Sequence, residues 1–299
     1  MRCFSWGAKS MKYREQILEQ VKQIPALPVS AIVLIRLLQD PDAQPSLICK
    51  AVKHDPGLTS NILRLANSSL FGVEHEIGSI KEALVRLGTK NILSLVLCST
   101  VAPMAKKTVP GYNLQDGALW EHSVATALAT GEFAEILDVR SPDIAFTAGL
   151  LCNIGKIVIG TFVEKESEAI YKLAFEDNLS FQCAEQEVLG VDHAEIGADL
   201  LESWGLPGSV VEVVRWHHEP DRCPEEYQAT ADIVHVAEHG TMVIGYGVGD
   251  EGTHYKVSSE SSERLKLNAK WIEAALCQTV IKLEEVRDSL GVSVGNVQN

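Results

Sequence analysis

The stretch Asp55-Pro-Gly-Leu-Thr-Ser-Asn-Ile-Leu-Arg-Leu-Ala66 carries the pattern that decides the fold class. Its apolar residues Leu58, Ile62 and Leu65 recur at intervals of four and three, which places them on one face of a helix. The leading Asp-Pro-Gly ends one helix and starts the next. Because residues 17–24 and nearly every later segment repeat this spacing, the sequence predicts an all-α protein of short, closely connected helices.

Two interruptions of the helical pattern divide the 299 residues into segments. The first is Thr108-Val-Pro-Gly111. The second lies between Gly240 and Ser262, where glycines crowd among polar residues and predict a loop or short hairpin. A final helix is predicted over about Ala269–Leu290, to pack on the core or on a partner. The predicted segments are an N-terminal tail (1–13), a first helical lobe (14–107), a second helical lobe (108–240), and a Gly-rich loop with a C-terminal helix (241–299).

Helix starts are marked by capping boxes, in which a short oxygen side chain is followed three residues later by an acid. Such boxes begin at Ser79, Asp192 and Ser209. Gly88 suits the left-handed residue that follows a helix end. The helices predicted in the second lobe cover about residues 116–137, 142–159, 164–178, 184–189, 192–204, 209–217 and 229–239.

Composition and charge exclude several classes of protein. The chain has 26 Lys and Arg against 40 Asp and Glu, a net charge of −14, which repels phosphate backbones and makes direct nucleic-acid binding improbable. Its seven cysteines are widely spaced and contain no C-x-x-C pair, which is typical of reduced thiols in a cytoplasm. We expect neither a signal peptide nor a membrane span, because no long apolar run is free of polar residues.

Histidines in the second lobe are the first candidates for chemistry. His122, His193, the pair His217-His218 and His235 fall in predicted helices or at their ends, and neutral imidazole is a common metal ligand. Structural roles are the simpler interpretation, since His193 lies in a first helical turn and the pair at a helix end. His235 and His239 are one turn apart, but no third ligand is near them in sequence, so we do not assign them a metal.

A series of short motifs follows along both lobes. In the first lobe they are Ile24-Pro-Ala-Leu-Pro28, Asp55-Pro-Gly-Leu58, Leu65-Ala-Asn-Ser68 and Ala83-Leu-Val-Arg-Leu-Gly88. In the second they are Leu119-Trp-Glu-His-Ser123, Ala145-Phe-Thr-Ala-Gly-Leu-Leu151, Ile154-Gly-Lys156, Asp192-His-Ala-Glu-Ile-Gly197, Trp204-Gly-Leu-Pro207 and His217-His-Glu-Pro220. Their order, over about residues 20–240, resembles the HDOD family of signalling output domains. The resemblance implies a two-lobed helical architecture whose second lobe is a degenerate HD-like lobe.

The same resemblance implies a damaged metal site. In the related HD and HD-GYP phosphohydrolases, the segment matching Leu150-Leu-Cys-Asn-Ile-Gly-Lys156 reads Leu-His-Asp-Ile-Gly-Lys, and its His and Asp bind metal. Here Cys152 and Asn153 replace them, and a neutral amide cannot offset the repulsion between two cations. The resemblance places the remaining ligand-like residues around a remnant pocket. The predicted pocket residues are His122, Cys152, Asn153, His193, His217, His218 and, in place of the family's last Asp, Glu238.

Two residues of this segment have simple structural interpretations. Cys152 lies in an apolar run, where we expect it to act as a small hydrophobic side chain rather than as a nucleophile. Lys156 lacks the glycine spacing of a phosphate-binding loop, and we expect it to be solvated at a helix end.

Three functions follow from this pattern. The leading hypothesis is a non-catalytic, cytoplasmic signalling module that acts on separate signalling proteins, with no resident metal and no contact with membranes. One alternative is a divergent phosphohydrolase or phosphodiesterase with a single metal ion at the histidine cluster, completed by Glu238. The other is a sensor whose remnant pocket binds a nucleotide or small anion.

Overall fold

The computed structural model describes residues 8–24, 27–68, 75–139, 142–247, 249 and 257–290. Within these ranges the chain forms fifteen α-helices and no strand, which confirms the all-α prediction. The helices before the break at residue 108 are α1 (Ala8–Gln23), α2 (Val29–Gln39), α3 (Pro45–Lys53), α4 (Pro56–Ala66) and α5 (Ile80–Ala105). Gly88, with φ of 77°, interrupts α5 as its sequence position predicts.

The second half holds the remaining helices, a π-helical turn (Lys172–Glu176) and a 3-10 turn (Pro220–Arg222). They are α6 (Ala118–Ile136), α7 (Pro142–Leu151), α8 (Lys156–Lys165), α9 (Ser167–Tyr171), α10 (Phe181–Leu189), α11 (His193–Ser203), α12 (Gly208–Trp216), α13 (Glu225–Val243), α14 (Ser259–Arg264) and α15 (Ala269–Leu290).

The helix predicted over 142–159 is broken, so this prediction is wrong. α7 ends at Leu151 and α8 begins at Lys156, with turns between them. The cause is a close approach of two backbones, because a Cβ atom at Gly155 would collide with the carbonyl oxygen of His193 on α11. Only glycine allows the chain to pass there, and the break places Cys152 and Asn153 in a turn instead of a helix.

The loop predicted between Gly240 and Ser262 is shorter than expected. α13 continues to Val243, and α14 already begins at Ser259. Residues 250–256, which include one of the clustered glycines, lie outside the described residues. α14 is held against α13 because the buried Asp232 carboxylate accepts hydrogen bonds from Arg264 and from the Ser261 hydroxyl.

Helix α6 lies at the centre of the second half and packs against α7, α13 and α15. The inner face of α15 buries Ala275, Leu283 and Val286. Lys282 of this helix also forms an ion pair with Glu132 of α6. Of the two expectations for the C-terminal helix, the structure therefore shows packing on the core.

Helix α1 crosses from the first part of the chain to the second. It packs against α8, α10 and α11 rather than only against its neighbours in sequence. The Arg14 guanidinium donates to the carbonyl oxygen of Gly190 at 2.9 Å and to Glu195 at 2.5 Å. One apolar core joins the two halves, so the proposed lobe boundaries remain a prediction about the sequence.

Two apolar stretches, Ile80–Ala105 and Ile144–Lys165, are long and apolar enough to cross a membrane. However, 50% of the apolar part of the first stretch and 83% of that of the second are buried inside the protein. Buried core helices of soluble proteins can have the same length and apolar composition, so the two stretches give little support for a membrane span.

Of the three helix caps predicted from capping boxes, the structure has two. Asp55 caps α4 by accepting the Leu58 N–H at 2.9 Å, and Ser79 and Asp192 cap their helices as predicted. The predicted cap at Ser209 is wrong. Pro207 occupies the N-cap position of α12, and no side chain caps this end.

We expect Asp55→Ala to lower the free energy of unfolding by about 1 kcal/mol, up to about 2, because its carboxylate also accepts the Ser30 hydroxyl at 2.7 Å. Ser209→Ala is the matched control and should change it by less than about 0.5 kcal/mol. Urea unfolding followed by circular dichroism measures both. Equal losses in the two variants would contradict the assignment of the caps.

Candidate functional site

The seven residues predicted to line a remnant pocket come together in the second half of the chain. α6 provides His122, α11 provides His193 and α13 provides Glu238, while the other four follow directly after α7 and α12. Their side chains are at most 6% exposed. The structure therefore brings all seven together, as a closed cluster rather than an open cavity.

The Glu238 carboxylate lies at the centre of the cluster. Its Oε1 accepts a hydrogen bond from Asn153 Nδ2 at 2.6 Å and lies 3.8 Å from His122 Nε2. Its Oε2 lies 3.5 Å from His217 Nε2 and 3.7 Å from His218 Nδ1. Burial alone raises the pKa of Glu238, but the surrounding imidazoles and Lys156 outweigh it and hold the pKa well below its usual range. Glu238 is therefore a carboxylate.

Three imidazoles are fixed by the same kind of hydrogen bond. Nδ1–H donates to the Tyr246 carbonyl oxygen in His122 (3.1 Å), to the Glu185 carboxylate in His193 (2.7 Å) and to the Val214 carbonyl oxygen in His217 (2.6 Å). Each ring is then oriented with an unprotonated Nε2 as acceptor, as in histidines that bind metal.

Several acceptor atoms of the cluster have no hydrogen-bond partner among the described residues. They are Nε2 of His122, Nε2 of His217 and Oδ1 of Asn153. Potential ligand atoms form two groups, and within each group the atoms lie within 4.8 Å of one another. The first group is His193, His217 and His218, and the second is Cys152, His217 and Glu238. Imidazole, thiol and carboxylate are donors that suit one borderline ion such as Zn²⁺. Glu238 is the one carboxylate in these two groups, so neither offers a second carboxylate to bridge a pair of ions.

Two charged residues of the site were not found from the sequence. Glu185 of α10 is fully buried and accepts hydrogen bonds from the Tyr112 hydroxyl at 2.6 Å and from the backbone and ring of His193. Burial raises the pKa of Glu185 to about 7, although these hydrogen bonds and the charge of Lys156 lower it in part. An acid that contacts a ligand-like histidine from another helix has no fixed sequence spacing from it, so sequence motifs do not identify Glu185.

Lys156 was predicted to be solvated, and this prediction is wrong. It is 0% exposed, and its ammonium lies 5.3 Å from the centre of the Tyr112 ring. Its position explains the difference, because Lys156 begins α8 and points inward at the break after α7 rather than outward at a helix end. The buried ammonium supplies positive charge beside Glu185 and Glu238.

Cys152 acts as the small buried side chain that the sequence predicts. Its thiol donates to the Gly149 carbonyl oxygen at 3.3 Å. Burial, with a smaller effect of the Glu238 charge, raises the pKa of Cys152 well above that of a free thiol. A protonated thiol is a poor nucleophile, so Cys152 does not fit covalent catalysis.

His235 has a structural role. Its Nδ1–H donates to the His217 carbonyl oxygen at 2.8 Å, and its Nε2 accepts the Ser258 N–H at 3.0 Å. Both ring nitrogens are occupied, so His235 and His239 do not form a ligand pair.

A short segment after α13, residues 244–247 with Gly249, lies across the cluster, and we refer to it as the strap. The carbonyl oxygen of Tyr246 accepts from His122, while a Cβ atom at Gly247 would collide with the His122 side chain. A Cβ atom at Gly249 would likewise collide with the Tyr112 carbonyl oxygen. Contact this close requires glycine, and the strap seals the cluster on the His122 side.

The HDOD domain model matches residues 24–220, about two thirds of the sequence, and covers every residue of the cluster except Glu238. The chain belongs to the HDOD family. An uncharacterized protein of Treponema pallidum (strain Nichols) is 28% identical over 227 residues, which are 74% of this chain and 42% of that protein. The HDOD chain thus spans less than half the length of this relative.

Similar solved structures support the same architecture. An HDOD domain protein of unknown function from Geobacter sulfurreducens has a TM-score of 0.67 at 22% identity, covering 94% of this chain and 95% of its own. A Shewanella amazonensis SB2B protein, named only as a candidate phosphohydrolase, has a TM-score of 0.69 at 27% identity, covering 92% and 97%. A candidate signal transduction protein from Marinobacter aquaeolei VT8 has a TM-score of 0.70 at 20% identity, covering 97% and 67%.

The strap gives a first test of the site. Gly247→Ala should lower the free energy of unfolding by about 1–3 kcal/mol, because the added methyl group meets the His122 ring and the residue has φ of 68°. Gly131→Ala, on α6 with open space around it, should instead raise it by up to about 1 kcal/mol. Thermal unfolding measures both, and an unaffected Gly247→Ala variant would show that the strap does not press on His122.

Buried imidazoles also predict a pH dependence. Burial lowers the pKa of His217, and lowers those of His193 and His218 further, so the unfolded chain binds more protons below about pH 6.5. Their contribution to stability is complete above about pH 6.5 and is lost as the pH falls, by up to about 1.4 kcal/mol per pH unit for each proton. The raised pKa of Glu185 acts in the opposite sense, since its contribution is lost as the pH rises through about 7.

Urea unfolding between pH 5 and 7.5 measures this dependence. The His218→Asn variant should lose stability less steeply on acidification than the wild type. His54→Asn, which changes an exposed histidine far from the cluster, is the control and should keep the wild-type slope. Identical slopes in all three proteins would contradict the role of the buried rings.

Proposed function

We propose that this HDOD protein is a non-catalytic signalling module that acts through contacts with separate cytoplasmic proteins. The observation that carries the proposal is the 2.6 Å hydrogen bond from the Asn153 amide to Glu238. In the related hydrolases the resemblance places a metal-binding Asp at position 153. Here the same position directs an N–H group, with its partial positive charge, at the last acid of the site.

This hydrogen bond opposes a two-metal mechanism. Two ions about 3.5–4 Å apart need anionic ligands between them, and a neutral amide whose donor faces Glu238 provides none. The buried Lys156 ammonium already supplies positive charge to the Glu238 and Glu185 carboxylates. The cluster is thus neutralised by the chain's own groups.

Access to the cluster also supports a regulatory role. The strap covers His122, and His218 lines an open pocket. A phosphate ester would need to displace the strap or the imidazole rings before it could contact the Nε2 atoms. The family relationship and the naming of the similar Marinobacter protein for signal transduction agree with this proposal.

The outer face of α15 is the contact surface that we propose for a partner. The inner face of this helix packs on α6, whereas Trp271 and Ile281 are 37% and 50% exposed. A partly exposed tryptophan is a common anchor in protein interfaces, and Trp271 is the anchor that we propose for this contact.

We expect the purified protein to show no hydrolysis of phosphodiesters or phosphomonoesters above background with Mn²⁺, Mg²⁺, Fe²⁺ or Zn²⁺. The His122→Ala/His193→Ala double variant should give the same background, which distinguishes the site from a contaminating enzyme. Cys152→His/Asn153→Asp restores the residues of the hydrolases and tests whether only these two positions are missing. Metal-dependent turnover in the wild type that the double alanine variant lacks would overturn the proposal.

A single bound metal ion is the second candidate, and the buried Nε2 atoms of His122 and His217 without partners favour it. The ion would be held either by His193, His217 and His218 or by His217 with Cys152 and Glu238. Such an ion would supply Lewis acidity and lower the pKa of a bound water. Elemental analysis of the same preparation decides this candidate, since it requires one metal per chain in the wild type and a loss in His217→Ala.

A further inference from the structure

Charge is divided unevenly along the chain. Residues 1–107 contain 14 Lys and Arg against 8 Asp and Glu, a net charge of +6, whereas residues 108–299 contain 12 against 32, a net charge of −20. The acidity of the whole protein therefore hides a basic first half. Because a charge distribution of this kind steers partners of opposite charge to one side of a protein, the first half favours contact with an acidic partner.

The outer side of α2 combines apolar side chains with positive charge. Val29, Val33 and Arg36 are exposed and recur at intervals of four and three. Side chains at this spacing lie on one side of a helix. The opposite side buries Leu34 and Leu38 in the core.

The outer side of α3 continues the same pattern. Leu47, Lys50 and Lys53 are exposed at intervals of three, away from the buried Ile48 and Val52. α2 and α3 pack on each other, and both pack on α5. Their outer sides therefore form one surface, which we name the basic face. Its residues are Val29, Val33, Arg36, Leu47, Lys50 and Lys53.

The three cations of the basic face have no partner in the described part of the chain. Arg36, Lys50 and Lys53 are exposed, and none of them forms an ion pair or a side-chain hydrogen bond with another described residue. By contrast, Arg14 and Arg264 of this protein are held by carboxylates at 2.5–2.7 Å. The charge of the basic face is thus available to a partner.

The acids nearest in sequence are used elsewhere. Asp40 and Asp42 lie in the loop between the two helices, and the Asp40 carboxylate accepts the backbone N–H of Asp42 at 2.9 Å. The Asp55 carboxylate caps α4 through the Leu58 N–H and also accepts the Ser30 hydroxyl. None of the three lies on the outer side of α2 or α3.

Apolar contact is the second property of the basic face. Val29, Val33 and Leu47 are 78%, 42% and 49% exposed. A partner that buries them and also pairs with the cations must carry an apolar stripe between carboxylates. An acidic amphipathic helix has this pattern, and such helices commonly bind between the helices of another protein.

We propose that the basic face binds an acidic amphipathic helix of another protein. The apolar stripe of that helix would cover Val29, Val33 and Leu47, and its flanking carboxylates would pair with the three cations. A helix of about 14 residues is about 21 Å long, which is enough to cover α2. Nucleic acids and anionic membranes extend beyond the basic face and would meet the acidic second half of the chain, which repels them.

The basic face is a surface distinct from α15 and from the histidine cluster. The proposal does not rest on the proposed function, because an active hydrolase with the same α2 and α3 would bind the same helix. Loss of helix binding and detection of hydrolysis are therefore independent results.

A synthetic helix of about 14 residues tests the proposal, with leucines at intervals of three and four and glutamate at the other positions. Its controls replace every glutamate by glutamine or by lysine. Fluorescence anisotropy with the full chain should show saturable binding of one glutamate peptide, weakened by added salt, and at least about tenfold weaker binding of both controls. Absence of saturable binding, or equal binding of the glutamine peptide, overturns the proposal.

Charge reversal locates the binding. Lys50→Glu/Lys53→Glu should weaken binding of the glutamate peptide at least about tenfold, because two attractions become repulsions. Lys12→Glu/Lys107→Glu makes the same change in net charge at two exposed lysines outside α2 and α3, and should leave the dissociation constant within about twofold. Equal losses in the two variants would mean attraction by net charge alone and overturn the assignment.

The apolar contact has its own variant. Val29→Ser/Val33→Ser keeps every charge and should weaken binding about fivefold, with circular dichroism confirming that the variant is folded. Unchanged binding would show that the partner makes no apolar contact, which contradicts an amphipathic helix.

Other occupants of the basic face give different results. Vesicles of equal parts phosphatidylglycerol and phosphatidylcholine, and a DNA duplex, should bind more weakly than the glutamate peptide. Sedimentation velocity should give the same oligomeric state for the wild type and for Lys50→Glu/Lys53→Glu. Tighter binding of vesicles or DNA that this variant loses, or an oligomer that it dissociates, overturns the proposal in favour of a membrane, a nucleic acid or a second copy of the chain.

Discussion

The carboxylate of Glu238 is the group around which the second half of the chain is organised. A buried charge is tolerated only where hydrogen bonds and opposite charge replace its lost hydration. The Asn153 amide donates a hydrogen bond to Glu238 and the buried Lys156 ammonium adds positive charge, and the two groups come from different parts of the chain. The segments that meet at this carboxylate are α6, α8, α13 and the turns after α7 and α12, and they must keep one relative arrangement around one buried anion.

Under the proposal that this site has lost a hydrolase-like ligand set, the same requirement explains how the protein stays folded without it. A site that loses an aspartate loses charge as well as a metal ligand. Here the amide of Asn153 becomes a donor, and Lys156 remains inside as a cation. The site is a network that its own groups largely satisfy, and three of its buried acceptor atoms have no hydrogen-bond partner among the described residues. Polar clusters of this kind specify one packing of the core.

The sequence predicted those features that depend on residues close together in the chain. The helical class, the caps at Asp55, Ser79 and Asp192 and the turn at Gly88 follow from residues within a few positions. The family motifs pointed to seven residues, which the structure places next to one another. What failed depends on contacts distant in sequence: α7 breaks because Gly155 meets α11, and Lys156 is buried because that break turns it inward. Glu185 was missed for the same reason, since its partner Tyr112 is 73 residues away.

Helix α1 has a consequence for the way the chain folds during synthesis. Its contacts through Arg14 reach Gly190 and Glu195, which are 176 and 181 residues further along the chain. During synthesis, α1 therefore leaves the ribosome long before α8, α10 and α11, the helices on which it packs. Closing so long a loop costs entropy and slows folding, so α1 completes the structure late although it is made early.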